Sequence, residues 1–265
     1  MSRRLCLVTG ASAGIGAAMA REFARHGYDL CLTARRTERL ETLAAELRLQ
    51  YGVEAFSVAA DLADPGAVDT ILAAVEAEGR DLDALVNNAG YGLPGAYDRT
   101  LWSEQARFLQ VLTWAVAELT HKALPGMLER RFGRIITVAS LAGLTPGSAG
   151  HTLYAASKAF AIKFSQSLHA ETIGRGVHVT ALCPGFTWSE YHDANGTRET
   201  VSQLPSWLWM GADEVAAIGY EAVEANRSLS VPGAPNKAIA ALAKLLPEDW
   251  SEAIMARQSQ RFRKV

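Results

Sequence analysis

The sequence predicts an α/β fold: one doubly wound domain, a parallel sheet of seven strands with helices on both faces. Three observations predict it. Short apolar runs of strand length alternate along the chain with helical patterns of about ten residues or more. The first run, Leu5–Val8, leads through the glycine-rich turn Thr9-Gly-Ala-Ser-Ala-Gly-Ile-Gly16 into a helix, which places backbone N–H groups and a positive helix end together. Residues suited to chemistry then recur where strands end, the side of such a sheet on which ligands bind.

The elements follow in order. Leu5–Val8 is a short buried strand, and Ala17–Arg25 continues at helical spacing with Met19, Ala20, Phe23 and Ala24 on one stripe. Asp29–Ala34 is the second strand, and Thr37–Gln50 a helix with Leu40, Leu43, Ala44 and Leu47 facing inward. Ala55–Ala60 is the third strand. Asp64-Pro65 caps and starts a helix running to about Glu78. Ala84–Val86 is the fourth strand and ends at Asn87-Asn-Ala-Gly90. One long helix is expected from Trp102 to about Arg130, then a fifth strand over Gly133–Ala139, a second long helix over Leu153–Ile173, and a sixth strand over Val177–Leu182 that ends at Pro184-Gly185. Ser228–Val231 would be the seventh strand.

The least regular stretch, Trp188–Met210, holds Trp188, Trp207 and Trp209, three of the six tryptophans. A long connection after a strand end on the ligand side reads as a substrate lid, expected over 188–212. Residues 238–265 read as an amphipathic helical tail with a basic solvent face. With no repeat and no linker, residues 1–265 are expected to form one domain.

Composition narrows the class. Apolar residues make up 49% and charged residues 20% of 265, and the net charge is −2, so nothing favours nucleic-acid binding. No apolar run is long enough to span a membrane. The chain enters a strand directly after Arg3 and Arg4, without the apolar run of a signal peptide, so a cytoplasmic protein is expected. The three cysteines are far apart; Cys6 and Cys31 fall in strands and read as buried thiols. His121, His151, His169 and His192 show no metal-ligand spacing, and no metal is expected.

Three groups carry chemistry. Gly10, Gly14 and Gly16 let the backbone turn sharply and approach a pyrophosphate closely. Arg35 and Arg36 end the second strand, where a carboxylate would bond the adenosine ribose; two guanidinium groups instead attract the extra phosphate of NADP. Asp61 is placed near the adenine. Tyr154 and Lys158 lie one turn apart on a predicted helix. A nearby ammonium stabilises a phenolate and brings a tyrosine toward acid–base range. Ser140 ends the fifth strand, where its hydroxyl would hydrogen-bond a substrate oxygen beside that tyrosine.

Taken together, Thr9-Gly-Ala-Ser-Ala-Gly-Ile-Gly16, Asp61-Leu62, Asn87-Asn-Ala-Gly90, Val138-Ala-Ser-Leu-Ala-Gly143, Tyr154-Ala-Ala-Ser-Lys158 and Pro184-Gly-Phe-Thr187 resemble the short-chain dehydrogenase/reductase family over nearly the whole chain. The stretch Val231-Pro-Gly-Ala-Pro-Asn-Lys237 is similar to a bacterial branch of it. The resemblance implies a Rossmann fold and a nicotinamide cofactor. Tyr154 would be the general acid, Lys158 would hold the nicotinamide ribose, and Ser140 would orient the carbonyl. Ser12, Ile15, Leu62, Asn88, Ala89, Gly90, Pro184 and Gly185 would line the cofactor cleft with the residues above, and Thr187 would approach the carboxamide. It also implies a homodimer or homotetramer paired through the two long helices.

Two departures stand out. Leu112 occupies the position where the family usually has an asparagine that helps hold a relay water, and leucine cannot hydrogen-bond. Ser140 precedes Tyr154 by 14 residues, one more than usual, which an insertion in the loop 144–152 explains. The leading expectation is an NADP(H)-dependent oxidoreductase acting on a ketone or aldehyde and its alcohol, with an apolar or aromatic substrate suggested by the tryptophans and by Tyr91, Leu93 and Leu144. Leu112 keeps open an NADP-binding sensor with little catalysis. An epimerase or dehydratase on the same fold is the third alternative.

Overall fold

A computed structural model describes residues 3–93, 95–147, 149–150, 152–188, 205–247, 249–250 and 253. Within them, seven strands form one all-parallel sheet: β1 (Leu5–Thr9), β2 (Asp29–Ala34), β3 (Ala55–Ala59), β4 (Leu82–Asn87), β5 (Gly133–Val138), β6 (Val177–Leu182) and, last in the sheet, β9 (Leu229–Ser230). The order is β3-β2-β1-β4-β5-β6-β9. The order reverses between β1 and β4, so the loops after these two strands open a crevice at their carboxyl ends.

The strand runs are short and almost wholly apolar because both faces are covered. Side chains alternate between two cores. On one face Cys6, Val8, Leu30 and Leu32 meet Met19 and Phe23 of α1 (Gly14–Arg25), Leu40 and Leu47 of α2 (Thr37–Tyr51), and Val215 and Val223 of α7 (Ala212–Glu224). On the other, Leu5, Leu7, Leu85, Ile135 and Val179 meet Ile71 of α3 (Ala67–Ala77), Phe108 of α4 (Trp102–Leu109), Leu119 and Met127 of α5 (Ala115–Glu129), and Leu168 of α6 (Thr152–Thr172). Cys6, Cys31 and Cys183 are all buried free thiols.

Three features differ from the expectations. The helix expected from Trp102 to Arg130 is interrupted by a π-helical turn, Gln110–Trp114, with Leu112 buried in it. The helix after Asp64-Pro65 begins only at Ala67. The ends of the stretch expected to be irregular form a second, two-stranded parallel sheet: β7 (Phe186–Trp188) pairs with β8 (Trp209–Gly211), and the rings of Trp188 and Trp209 stack with centroids 4.1 Å apart. Of the stretch 188–212, expected as a lid, the described ends are joined by this pairing, and 189–204 lie outside the described residues, as does most of the tail expected over 238–265. Helix α8 (Ala234–Leu245) opens that tail.

Candidate active site

The glycine turn is fixed by its neighbours. Gly10 and Gly14 adopt left-handed φ angles of 66° and 56°. A methyl group on Gly16 would come within 2.2 Å of the Gly10 oxygen, and one on Gly10 within 2.8 Å of Asn88 Nδ2. Thr9 clamps the two loops: its Oγ1 accepts from Asn88 N (2.9 Å) and Ala89 N (3.0 Å) and donates to Val86 O (3.2 Å). Asn88 Nδ2 returns a bond to Thr9 O at 2.8 Å. Helix α1 follows with no side chain capping its N-terminus and no acidic residue in its first turn. Its first N–H groups and the positive end of its dipole face the crevice, as an anion requires.

At the ends of β2 and β3 the predicted residues take defined places. Arg36, exposed at the N-cap of α2, donates from Nε (3.3 Å) and Nη2 (3.0 Å) to Ser12 Oγ, so the guanidinium lies against the glycine turn. Arg35 is exposed beside it. Asp61 accepts from Ala63 N through Oδ1 (3.0 Å) and from Arg107 Nη2 through Oδ2 (3.0 Å). Arg107, on α4, was not anticipated; nothing in the local pattern of either segment announces a partner so distant in sequence. Leu62 is buried in the core beneath.

The second half of the site gathers on α6. Lys158 lies one turn after Tyr154, its Nζ 5.7 Å from the tyrosine ring centroid, and donates to Val138 O at 2.8 Å. Burial lowers the Lys158 pKa to about 8. Ser140 caps the short turn Leu141–Gly143, its Oγ accepting from Ala142 N at 3.2 Å. Gly143 is required there: a Cβ would lie 2.6 Å from the carbonyl carbon of Lys158, so the turn after Ser140 rests directly on the helix that carries Tyr154 and Lys158. Leu141 N in turn donates to Pro184 O at 2.9 Å. Gly90 lies between: a Cβ on it would be 3.7 Å from Leu112 Cγ and 3.8 Å from Lys158 Nζ, so Leu112 does face this site. Thr187, buried in the middle of β7, donates from Oγ1 to Gly185 O at 3.2 Å.

Tyr154 also borders a small recess lined by Leu93, Tyr97, Gln105, Phe108 and Leu153. Cys183 is held as a neutral thiol, its pKa pushed up to about 12 by burial. His151 and His192 lie outside the described residues, and among the described residues no group of histidine, cysteine and carboxylate side chains suits a metal. No described helix is long and apolar enough to cross a membrane.

A strand–glycine–helix anion cradle opposite a serine, tyrosine and lysine defines a dehydrogenase of the nucleotide-binding α/β class. Residues 4–200 match the family model for short chain dehydrogenases. The chain is 33% identical over 252 residues to an NADP-dependent 3-hydroxy acid dehydrogenase of Salmonella typhi, covering 94% of this chain and 87% of that one. The fold is similar to a Sphingobium yanoikuyae short-chain dehydrogenase solved with NADPH (31% identity, TM-score 0.78, 97% and 94% of the two chains). It is also similar to the bulky-bulky ketone specific alcohol dehydrogenase of Comamonas testosteroni (26% identity, TM-score 0.76, 100% and 97%). The chain belongs to the short-chain dehydrogenase/reductase family and is an NAD(P)-dependent oxidoreductase.

Proposed function

We propose that this enzyme uses NADP(H) to interconvert a bulky, largely apolar ketone or aldehyde with the corresponding alcohol. The observation that carries the reading is the convergence of Ser140, Tyr154 and Lys158 at the strand ends that also hold the glycine cradle. The cradle fits a dinucleotide: the turn has no room for a Cβ at Gly10 or Gly16, and the α1 N-terminus has no capping side chain. Arg35, Arg36 and Ser12 would hold the 2′-phosphate, and Asp61, Leu62 and Ala89 the adenosine end. Gly14, Ile15, Asn88 and Gly90 would line the middle, and Pro184, Gly185 and Thr187 the nicotinamide end.

When bound, the nicotinamide supplies or accepts the hydride. The protein's own residues handle the proton and the geometry. Tyr154 donates its phenolic proton to the carbonyl oxygen during reduction. Ser140 Oγ already accepts from Ala142 N, which leaves its hydroxyl hydrogen to be donated to the same oxygen. Lys158, held by Val138 O, favours the phenolate left behind. The Tyr154 phenolate then takes a proton from the Lys158 ammonium, which is itself reprotonated from solvent; Leu112 offers no side-chain hydrogen bond to that relay. The stacked Trp188 and Trp209 with Phe186 would give the mouth an apolar wall, and the ketone named for the Comamonas structure supports a large substrate.

The same reading includes a homodimer or homotetramer. Leu109, Trp114, Ala117, Ala156 and Phe160 line an apolar groove of about 430 Å³ between α4, the π-turn, α5 and α6, and Trp114 is 68% exposed. A second copy of the chain, pairing the same helices, is its proposed occupant.

NADPH deuterated at the nicotinamide C4, incubated with an aryl alkyl ketone and the protein, tests the reaction. Deuterium on the carbinol carbon of the product, seen by mass spectrometry, is the expected result. Cofactor binding with no label transferred to any carbonyl in a panel would turn the assignment toward a sensor, and product formed without net oxidation of the cofactor toward an epimerase or dehydratase.

A further inference from the structure

Helix α8 reaches the site through one side chain. Asn236 stands in its first turn and is 2% exposed, an unusual burial for an amide at a helix start. Its Nδ2 donates to Pro232 O at 2.8 Å, which fixes the amide across the helix entrance. The face of the amide is turned elsewhere. A Cβ built on Gly185 would meet Asn236 Oδ1 at 2.3 Å, Cγ at 2.6 Å and Nδ2 at 2.6 Å. Three nearly equal distances mean that the flat amide lies face-on against the Gly185 Cα. Only glycine fits beneath it, although Gly185 itself has no left-handed φ to require one.

The loop is thus held from two sides. On the Ser140 side Pro184 O accepts from Leu141 N at 2.9 Å. On the other side stands the Asn236 amide plane. The same amide reaches β8, where Nδ2 lies 3.9 Å from Met210 Sδ. Gly233, at φ 84°, brings the helix entrance in so closely that a Cβ there would lie 2.8 Å from that sulfur. A residue that only capped its own helix would need neither the burial nor the stacking.

We propose that Asn236 is a positioning residue for Pro184–Gly185, setting where that loop meets the nicotinamide end of the cofactor. The proposal rests on the oxidoreductase reading above. It assigns the Val231–Lys237 segment a role: it is a strut that ties the loop to the returning strand of the lid region.

Two measurements test it together. Calorimetric titration compares NADPH with 2′,5′-ADP, which carries only the adenosine and 2′-phosphate end. Asn236→Ala is expected to weaken NADPH about fivefold to tenfold and to leave 2′,5′-ADP within about twofold. Equal losses for both ligands, or no loss for either, would reduce Asn236 to a structural residue and overturn the proposal. Melting temperatures of Gly185→Ala, Asn236→Ala and the double variant read the contact without any cofactor. The added methyl is expected to cost much less once the amide is removed, and a Gly185→Ala chain that folds only alongside Asn236→Ala counts the same way. Additive losses would mean that the amide does not confine the loop. A wild-type chain that binds neither NADPH nor 2′,5′-ADP would remove the reading beneath the proposal, an outcome the melting temperatures keep separate from failure of the contact.

Discussion

Single residues carry the proton and the charge recognition in this account. Tyr154→Phe removes the transferable proton and leaves the ring, so kcat should fall by about 10²–10⁴-fold with folding intact. Arg36→Ala removes the guanidinium on Ser12. NADPH affinity should drop by about tenfold or more and NADH affinity stay within about threefold, as read by titration of each. Lys158 gives a pH signature. Its folded pKa of about 8 lies below the ordinary 10.5, so between these values the unfolded chain binds more protons and stability rises with pH. The cost of burying the ammonium is fully present below about pH 8. Lys158→Met should therefore melt higher than wild type at pH 7 while losing turnover, and the gap should narrow toward pH 10.5; a gap that does not change with pH would contradict the assignment. Most of these residues were legible in the sequence, because strand ends, glycine spacing and the one-turn Tyr154–Lys158 interval are local patterns. Arg107 beside Asp61 and Asn236 against Gly185 were not legible. Each joins positions distant in the chain whose own segments look ordinary.

At the scale of elements, the break between α4 and α5 is the departure with most bearing on the site. A five-residue π-turn, Gln110–Trp114, adds a residue to the helix where Leu112 meets Gly90. Such turns accompany functional sites. Hydrophobic periodicity does not register one extra residue, which explains why the sequence reads as an unbroken helix. Restoring the family's residue with Leu112→Asn would bury an amide in an apolar setting. It should cost about 2 kcal/mol in chemical denaturation and leave turnover of the folded enzyme within about threefold, since Lys158 is already held by Val138 O. A gain of tenfold or more in kcat would show instead that the missing side chain limits the wild type. The β7–β8 pairing was equally invisible, because two strands of three residues leave no alternating run to detect.

For the whole molecule, the parallel seven-stranded sheet was readable from alternation alone, and the parallel sense of its strands explains why every chemistry-bearing loop lies at one end, whereas the strand order comes from the structure. The proposed pairing of subunits rests on the exposed apolar face of α4 to α6. Light scattering should show a dimer or tetramer, and Trp114→Glu should shift it toward monomer; a wild-type monomer would remove that part of the reading. The central claim concerns hydride transfer assisted by Tyr154. It is tested most directly by following NADPH oxidation by the purified protein with aliphatic to bulky aromatic ketones and aldehydes, with Tyr154→Phe alongside. The account predicts turnover greatest with bulky apolar carbonyls and loss of it in the variant. Turnover that survives Tyr154→Phe, or none with any carbonyl despite tight NADPH binding, would contradict it.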